Sequence, residues 1–345
     1  MLVERDRCGG QASGVNYGGV RRQGRALEEL PLAARARRMW GRLTTLVGHD
    51  SEFRPTGHLR LARDEAELAA LERWAAEAAR LDVRCEILGR DALASRWPWL
   101  GSGLAGGSLC ADDGQANPRL TTPLFARAAR EEGAHIVERK PVIALERSSR
   151  GFQVEIQGGP EIQSRVLVNA AGAWGPAIAA LLGDELPGEV IAPNMMVSEP
   201  LGYRIEPNLG MAGPGIYLRQ VPTGSVIFGG GRGVADLAAA RCRPLLSTTL
   251  ATLAEARRIV PALASATIIR SWAGIEGRMP DDRPVIGPSA RVPGLFHAFG
   301  FSGHGFMLAP AVGAVLAELI LDGHSATSLA GLGPARFTQQ PATVA

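Results

Sequence analysis

The sequence predicts an α/β protein of two domains: a mostly parallel layer of strands and helices assembled from separated segments, and an antiparallel sheet. Three observations carry this. The apolar run VLVNAAG, residues 166–172, passes directly into AWGPAIAALLG, so a strand feeds a helix as in a parallel α/β layer. Near the end GLFHAFGF reads as another such strand, and a glycine-rich turn leads from it into the helical pattern FMLAPAVGAVLAELILDG. Between them, residues 190 to 270 hold VIAPNMMVSEP, GIYLRQV, SVIFGGG and ATIIRSW, short strand-like runs separated by Pro and Gly, as in an antiparallel sheet.

The other elements follow in chain order. Asp64 and Glu67 form a capping box at the head of DEAELAALERWAAEAARL, whose apolar positions recur at helical spacing. A second helix is predicted from Pro118 to Gly133, with the glycine as its C-terminal cap, and HIVERKPVIALE and GFQVEIQ follow as strands. One helix is expected near Leu245 to Val260 inside the antiparallel region. The last helix has Pro310 near its first turn and Gly323 past its end. Met195 and Met196 read as core filling. The sequence has no internal repeat, and after about Phe337 it loses periodicity and is expected to be loose.

Composition excludes several classes. A chain of 345 residues with 46% hydrophobic and 21% charged positions can bury a sizeable core, which rules out a disordered or fibrous protein. The stretch from Phe306 to Leu321 contains Pro310 and Glu318 and falls short of the roughly 18 unbroken apolar residues of a membrane span. MLVERDR carries charges where a signal peptide has its apolar centre, so the cytoplasm is the expected location. The net charge of +3 is small and its arginines are scattered, with Lys140 as the only lysine, which argues against a nucleic-acid surface. Cys8, Cys85, Cys110 and Cys242 are far apart with no CxxC pair; no metal site, disulfide framework or dithiol motif is expected.

Few motifs point to chemistry. Glu4, in VERD, stands where the second strand of a dinucleotide-binding unit ends in a ribose-binding acid, and the small-residue loop GGQASGVNYGG follows it. The one GxGxxG match, Gly101, Gly103 and Gly106, has Pro98 before it and no helical pattern after it, and reads as a loop. GFSGHGFMLAP, residues 300–310, joins a strand, a glycine turn and a helix start, an arrangement that offers unpaired N–H groups to an anion or to the electron-rich edge of a flavin, or else is an ordinary tight turn. Ala170, Ala171 and Gly172 leave the backbone open to a flat cofactor or to close helix packing.

VERD, the ASG loop, DDGQANP, VLVNAAGAW, IYLRQ with IFGGG, DDRPVIGP and GFSGHGFMLAPAVG, in this order, resemble the FAD-dependent D-amino-acid oxidase superfamily, whose glycine oxidase, sarcosine oxidase and opine or hydroxyproline dehydrogenase members are nearest in style. The resemblance covers nearly the whole chain. It implies an FAD-binding Rossmann-like domain, incomplete at the N-terminus, from residues 1–45, 112–185 and 270–335, an antiparallel substrate domain from 46–111 and 186–269, and a loose tail at 336–345. It further implies that Glu4 and Arg5 hold the adenosine ribose, Ala12 and Ser13 the pyrophosphate, and that Gly18 and Gly19 lie near the flavin. Val142 would meet the adenine through its backbone; Ala171, Gly172 and Trp174 would line the groove. Gly300, Ser302, Gly303, His304, Gly305 and Phe306 would run along the flavin ring and ribitol. The implied reaction oxidises the carbon–nitrogen bond of an amino acid or secondary amine to an imine, with non-covalent FAD taking a hydride and oxygen or an electron-carrier subunit reoxidising it.

The sequence departs from the family pattern twice. The first strand, GxGxxG turn and helix of the family do not precede Glu4, so the expectation is a non-catalytic fragment or partner subunit as the rival reading, an upstream in-frame GxGxxG, weak FAD binding and a tendency to aggregate. Where glycine oxidase-like members carry an arginine for the substrate carboxylate, this sequence reads AGIEGRMP, with Glu276 in place and Arg278 two residues on. Glu276 in the cavity would disfavour simple glycine and favour a cationic or larger amine. Tyr217 and Arg219 share one strand face, toward either the substrate or solvent, and His304 stands either beside the flavin or in a hydrogen-bonded turn.

Overall fold

The structure, a computed structural model, describes residues 1–202 and 205–338. The elements that position the site begin with strand β1 (Leu2–Val3), the short helix α1 (Ala12–Val15), α2 (Leu30–Trp40), β2 (His58–Ala62), α3 (Glu65–Ala79), β3 (Glu86–Gly89), β4 (Gly106–Cys110), α4 (Pro118–Glu131), β5 (Ile136–Val137) and β6 (Leu167–Asn169). They continue with β7 (Pro193–Pro200), β8 (Asn208–Met211), β9 (Tyr217–Gln220), β10 (Ser225–Arg232), α5 (Leu246–Ile259), β11 (Ile268–Ala273), β12 (Glu276–Arg278), β13 (Val285–Pro288), β14 (Leu295–Phe299), α6 (Gly305–Leu321) and α7 (Ala335–Thr338).

Eight strands make one mixed sheet in the order β11-β7-β10-β9-β8-β2-β4-β3. All neighbours are antiparallel except β8 and β2, which run parallel with Leu209 beside Leu59, because β2 comes from far upstream and not through a hairpin. Successive side chains point to opposite faces, so Met196, Leu209, Leu218, Phe228, Leu59 and Leu61 share one face and join Ala256 and Ile259 of α5 in a core. Met195, Tyr217, Arg219, His58 and Arg60 occupy the alternate positions. The two neighbouring methionines are therefore divided: Met196 fills the core, and Met195 faces the site.

The α/β layer is built from parallel pairs. β6 runs parallel to β14 with Leu167 beside Leu295, β13 adds antiparallel to β14, and β1 runs parallel to β5 with Leu2 beside Ile136. Among the described residues β1 and β6 each have one strand neighbour. Leu32, Ala33, Ala36 and Trp40 of α2 pack on Met307, Leu308, Ala311, Val312 and Val315 of α6. The Trp40 indole N–H donates to the Met307 carbonyl at 2.8 Å, so the ring is buried without an orphaned donor.

Several local expectations change. Asp64 accepts the Glu67 N–H at 2.8 Å, but the Glu67 carboxylate turns to the N–H and guanidinium of Arg63, each at 2.7 Å, because a cation just outside the helix is the stronger partner. Half of the capping box is present. α6 begins at Gly305, which puts Pro310 in its second turn. The C-terminal segment is ordered further than expected: α7 holds residues 335–338, with the Arg336 guanidinium 2.8 Å from Asp281 and Phe337 packed on a core cluster. Residues 339–345 of the expected tail lie outside the described residues. β11 runs across position 270, where the sequence placed a boundary.

The Asp64 cap yields the first prediction. Asp64→Ala removes an N-cap acceptor and lowers stability by about 1 kcal/mol, read as a shift in the urea midpoint at unchanged slope.

Candidate functional site

The turn before α6 organises the site. Gly300, Ser302 and Gly303 have φ of +68°, +50° and +87°, a left-handed path that Ser302 holds by accepting the Met279 N–H at 3.1 Å and donating to the Gly300 carbonyl at 3.2 Å. This path directs the Gly303 N–H onto Glu276 Oε1. A side chain at Gly303 would meet nothing nearer than that carboxylate, at 3.9 Å, and one at Gly172, φ +58°, would meet nothing within 4 Å. Both backbones border open space, and they are neighbours: a Cβ on Gly277 of β12 would lie 3.1 Å from Ala173, and the Gly277 carbonyl accepts the Ser302 N–H at 3.2 Å.

At the end of β1 the Glu4 N–H donates to the Val137 carbonyl at 2.8 Å, which extends the parallel pairing with β5, and the Glu4 carboxylate accepts the Asp6 N–H at 2.9 Å. Burial raises the Glu4 carboxyl above its usual range. The Arg5 guanidinium lies over the Trp174 ring, 4.5 Å from its centroid, which brings the strand end to the Gly172 turn. Around α1, the Ala12 carbonyl accepts from the Asn16 amide at 2.9 Å and the Ser13 carbonyl from Thr122 at 3.1 Å. The Gly18 N–H donates to Asn16 Oδ1 at 2.8 Å, and Gly19 pairs with Gln115. Val142 opens a strand paired with Ile156. Phe306 leans on Trp40, their rings 5.1 Å apart, and so joins the core beneath α6.

On the sheet side, the Tyr217 ring lies 4.8 Å from that of Tyr17, and its hydroxyl is 3.2 Å from Met195 Sδ. Burial and the nearby Glu276 charge raise the Tyr217 phenol. The Tyr17 hydroxyl is buried without a hydrogen-bond partner among the described residues. Arg219 is buried, with Nε on the Tyr17 carbonyl and Nη1 2.8 Å from Gln115, and it lines a groove of about 630 Å³ with Asn16, Arg54, Arg270 and Trp272. Arg278 turns away: it is bound to Asp282 at 2.6 and 2.9 Å and to Glu189 at 3.1 Å, and those exposed carboxylates outcompete the cavity for it.

A buried ion cluster joins the turn to α2. His304 Nδ1 is 2.9 and 3.0 Å from the oxygens of Glu29, which is fully buried, and Arg25 Nη1 is 3.6 Å from the same carboxylate. Burial pushes His304 down to about 4, and Arg25 adds to it, so the neutral ring donates its Nδ1–H to Glu29. Burial alone would raise Glu29, but His304 and Arg25 more than offset it and keep the carboxylate ionised. Burial lowers Arg25 and Arg60 to about 10, with Arg21 contributing to both. Glu276 is pushed up to about 7 by burial, in spite of the Gly303 N–H. Among the described residues no group of His, Cys, Asp or Glu could hold a metal ion.

Tyr17, Arg25, Glu29 and Arg60 escape a sequence reading. Glu29 alone left a trace, as an acid at the head of the apolar pattern of α2.

A strand-end carboxylate, a small-residue loop and two glycine turns with open backbone are features that dinucleotide-binding folds share. Residues 1–319 match the family model of the FAD dependent oxidoreductases, and the chain belongs to that family. It is 27% identical over 354 residues to an opine oxidase subunit of Rhizobium meliloti, covering 99% of this chain and 92% of the relative. It is 24% identical over 300 residues to hydrogen cyanide synthase subunit HcnC of Pseudomonas aeruginosa, covering 86% and 71%. Its fold matches that of L-proline dehydrogenase from P. horikoshii with a TM-score of 0.89 at 28% identity, over 97% of this chain and 90% of that one. The protein is an FAD-dependent oxidoreductase. Its own residues are compatible with FAD: the backbone is open at Gly172 and Gly303, and Glu4 presents a carboxylate at a strand end, the kind of group a ribose diol would meet.

The cluster generates a second prediction. Glu29→Gln leaves Arg25 buried without its carboxylate and destabilises the fold by about 3–5 kcal/mol, measured by chemical denaturation; Glu28→Gln, an exposed control next to it, leaves the midpoint within about 0.5 kcal/mol of the parent.

Proposed function

We propose that this chain oxidises the carbon–nitrogen bond of an amino acid or secondary amine. The observation that carries the reading is the buried Glu276 carboxyl, held by the Gly303 N–H at the turn before α6, with the buried Arg219 on the sheet side. A zwitterion or amino acid derivative matches that pair of charges, with its nitrogen toward Glu276 and its carboxylate, set at a distance from it, toward Arg219. The similarity to an opine oxidase subunit and to a proline dehydrogenase supports an amine substrate.

Bound FAD would supply the hydride acceptor for the carbon next to the nitrogen, and the imine left behind would hydrolyse in water. Glu4 and Arg5 would hold its ribose, Ala12 and Ser13 its pyrophosphate, and Gly172, Trp174 and residues 300–305 would lie along its ring side. The rest is the work of this chain. With Oε1 held by the Gly303 N–H, Glu276 takes the ammonium proton at Oε2 and delivers the neutral amine. Tyr17 and Tyr217 close the sheet side and exclude water. Arg219, whose hydrogen bonds among the described residues go to neutral groups, meets a more distant acidic group of a larger substrate at the mouth of the groove. Oxygen or an electron-carrying partner takes the electrons; the opine oxidase and cyanide synthase relatives are each one subunit of an enzyme, which supports a hetero-oligomer.

FAD is held non-covalently. No cysteine lies between Cys242 and the C-terminus, and His304 is bound to Glu29. Acid precipitation therefore releases all the yellow colour to the supernatant; colour kept in the pellet contradicts this.

Glu276 must be ionised to accept a proton, so kcat/KM rises with pH through about 7. Glu276→Gln removes this limb of the profile, and Glu276→Arg, which sets a cation where the base stood, removes it too and lowers turnover of amines, glycine included. A pH profile and substrate range unchanged in both variants place Glu276 outside the site.

A further inference from the structure

The cysteines are far apart in the sequence and all four are free thiols, but the sheet brings two of them together. β3 and β4 run antiparallel, with Glu86 opposite Leu109 and Ile87 opposite Ser108. The same register continued by one position sets Cys85 opposite Cys110. Directly opposed residues of an antiparallel pair have Cα atoms about 4.5 or 5.5 Å apart, and both distances fall inside the roughly 4.4–6.8 Å that a disulfide spans. The two side chains lie on the same face of the sheet, so no rotation of a strand is needed to join them.

Their surroundings differ in a way that divides the chemistry. Cys110 is buried, and Arg22 Nη2 is 3.9 Å from its sulfur. Cys85 is partly exposed at the outer strand of the sheet. Leu27, Leu30, Trp74, Ala78 and Val83 surround the pair. Contact between the thiols lowers the Cys85 thiol and raises that of Cys110, so Cys85 is the one that ionises. Both are free thiols in this structure.

We propose that Cys85 and Cys110 form a peroxide-responsive dithiol, with Cys85 as the attacking and Cys110 as the resolving cysteine. The Cys85 thiolate attacks one oxygen of hydrogen peroxide; the O–O bond breaks, Cys85 becomes a sulfenic acid, and the departing hydroxide takes a proton to leave as water. The Cys110 sulfur then attacks the Cys85 sulfur, the S–O bond breaks, and the hydroxyl leaves as a second water with the Cys110 proton. Two thiols and one peroxide give one disulfide and two waters. The link joins β3 to β4 beside Leu30, which follows Glu29, and beside Trp74, whose indole N–H donates to the Arg25 carbonyl at 2.9 Å. Oxidation is thus placed against the segment that carries the buried ion cluster.

The test uses the purified full chain, exposed to hydrogen peroxide, denatured in iodoacetamide and mapped by mass spectrometry. The expected product is a cross-linked pair of peptides containing Cys85 and Cys110 with the loss of two hydrogens, reversed by dithiothreitol, while Cys8 and Cys242 carry the alkyl group. In Cys85→Ser the cross-link disappears and Cys110 becomes fully alkylated. Cys110→Ser, where it folds, lets Cys85 advance to sulfinic acid; where it does not fold, Cys85→Ser decides alone. The proposal is overturned if peroxide converts Cys85 to sulfinic acid while Cys110 remains alkylable in the parent, if both remain alkylable, or if Cys110 links to Cys8 or Cys242 instead.

Discussion

A carboxylate without solvent must be paired, and this requirement at Glu29 ties the two halves of the site together. Isolated, a buried charge would destabilise the fold by several kcal/mol; here Arg25 and the Nδ1–H of His304 compensate it. Because Glu29 immediately precedes α2 and His304 immediately precedes α6, the pair fixes how the two helices enter their shared core of Trp40, Met307 and Val315. The turn at Gly300–Gly303 keeps its left-handed path, with its N–H on Glu276. At the end of β1 the Arg5–Trp174 contact ties the segment of Glu4 to the Gly172 turn.

The parts of the fold legible in the sequence were those governed by local rules. Strand-to-helix passage at VLVNAAG, the glycine turn before α6 and the helix from Leu246 to Ile259 rest on periodicity and turn chemistry, which act within a few residues. Less was legible where a stronger partner intervened from outside the local pattern. The Glu67 carboxylate left its expected bond for Arg63, Arg278 paired with Asp282 and Glu189, and the parallel pairing of β8 with β2 joins segments distant in the chain. The same limit hid the buried ion cluster and the register that sets Cys85 against Cys110. Neither has any signature in spacing, because a sheet's register over a long separation is set by its whole hydrophobic pattern and not by the residues that it happens to oppose.

The charges beside the glycine turn are of two kinds. A carboxyl raised by burial lies on one side of the glycine turn, and on the other the buried Glu29 carboxylate is compensated by Arg25 and the His304 N–H. Under the proposed function, the Glu276 carboxylate favours a substrate that brings a positive nitrogen and disfavours an uncharged alcohol. The direct measurement is anaerobic mixing of the FAD-loaded protein with a panel of amino acids, secondary amines and hydroxy acids, following the visible absorbance of the flavin. The account predicts bleaching by amines that also carry a carboxylate and none by the matching hydroxy acids. Bleaching by a hydroxy acid, with every amine inert, would contradict it.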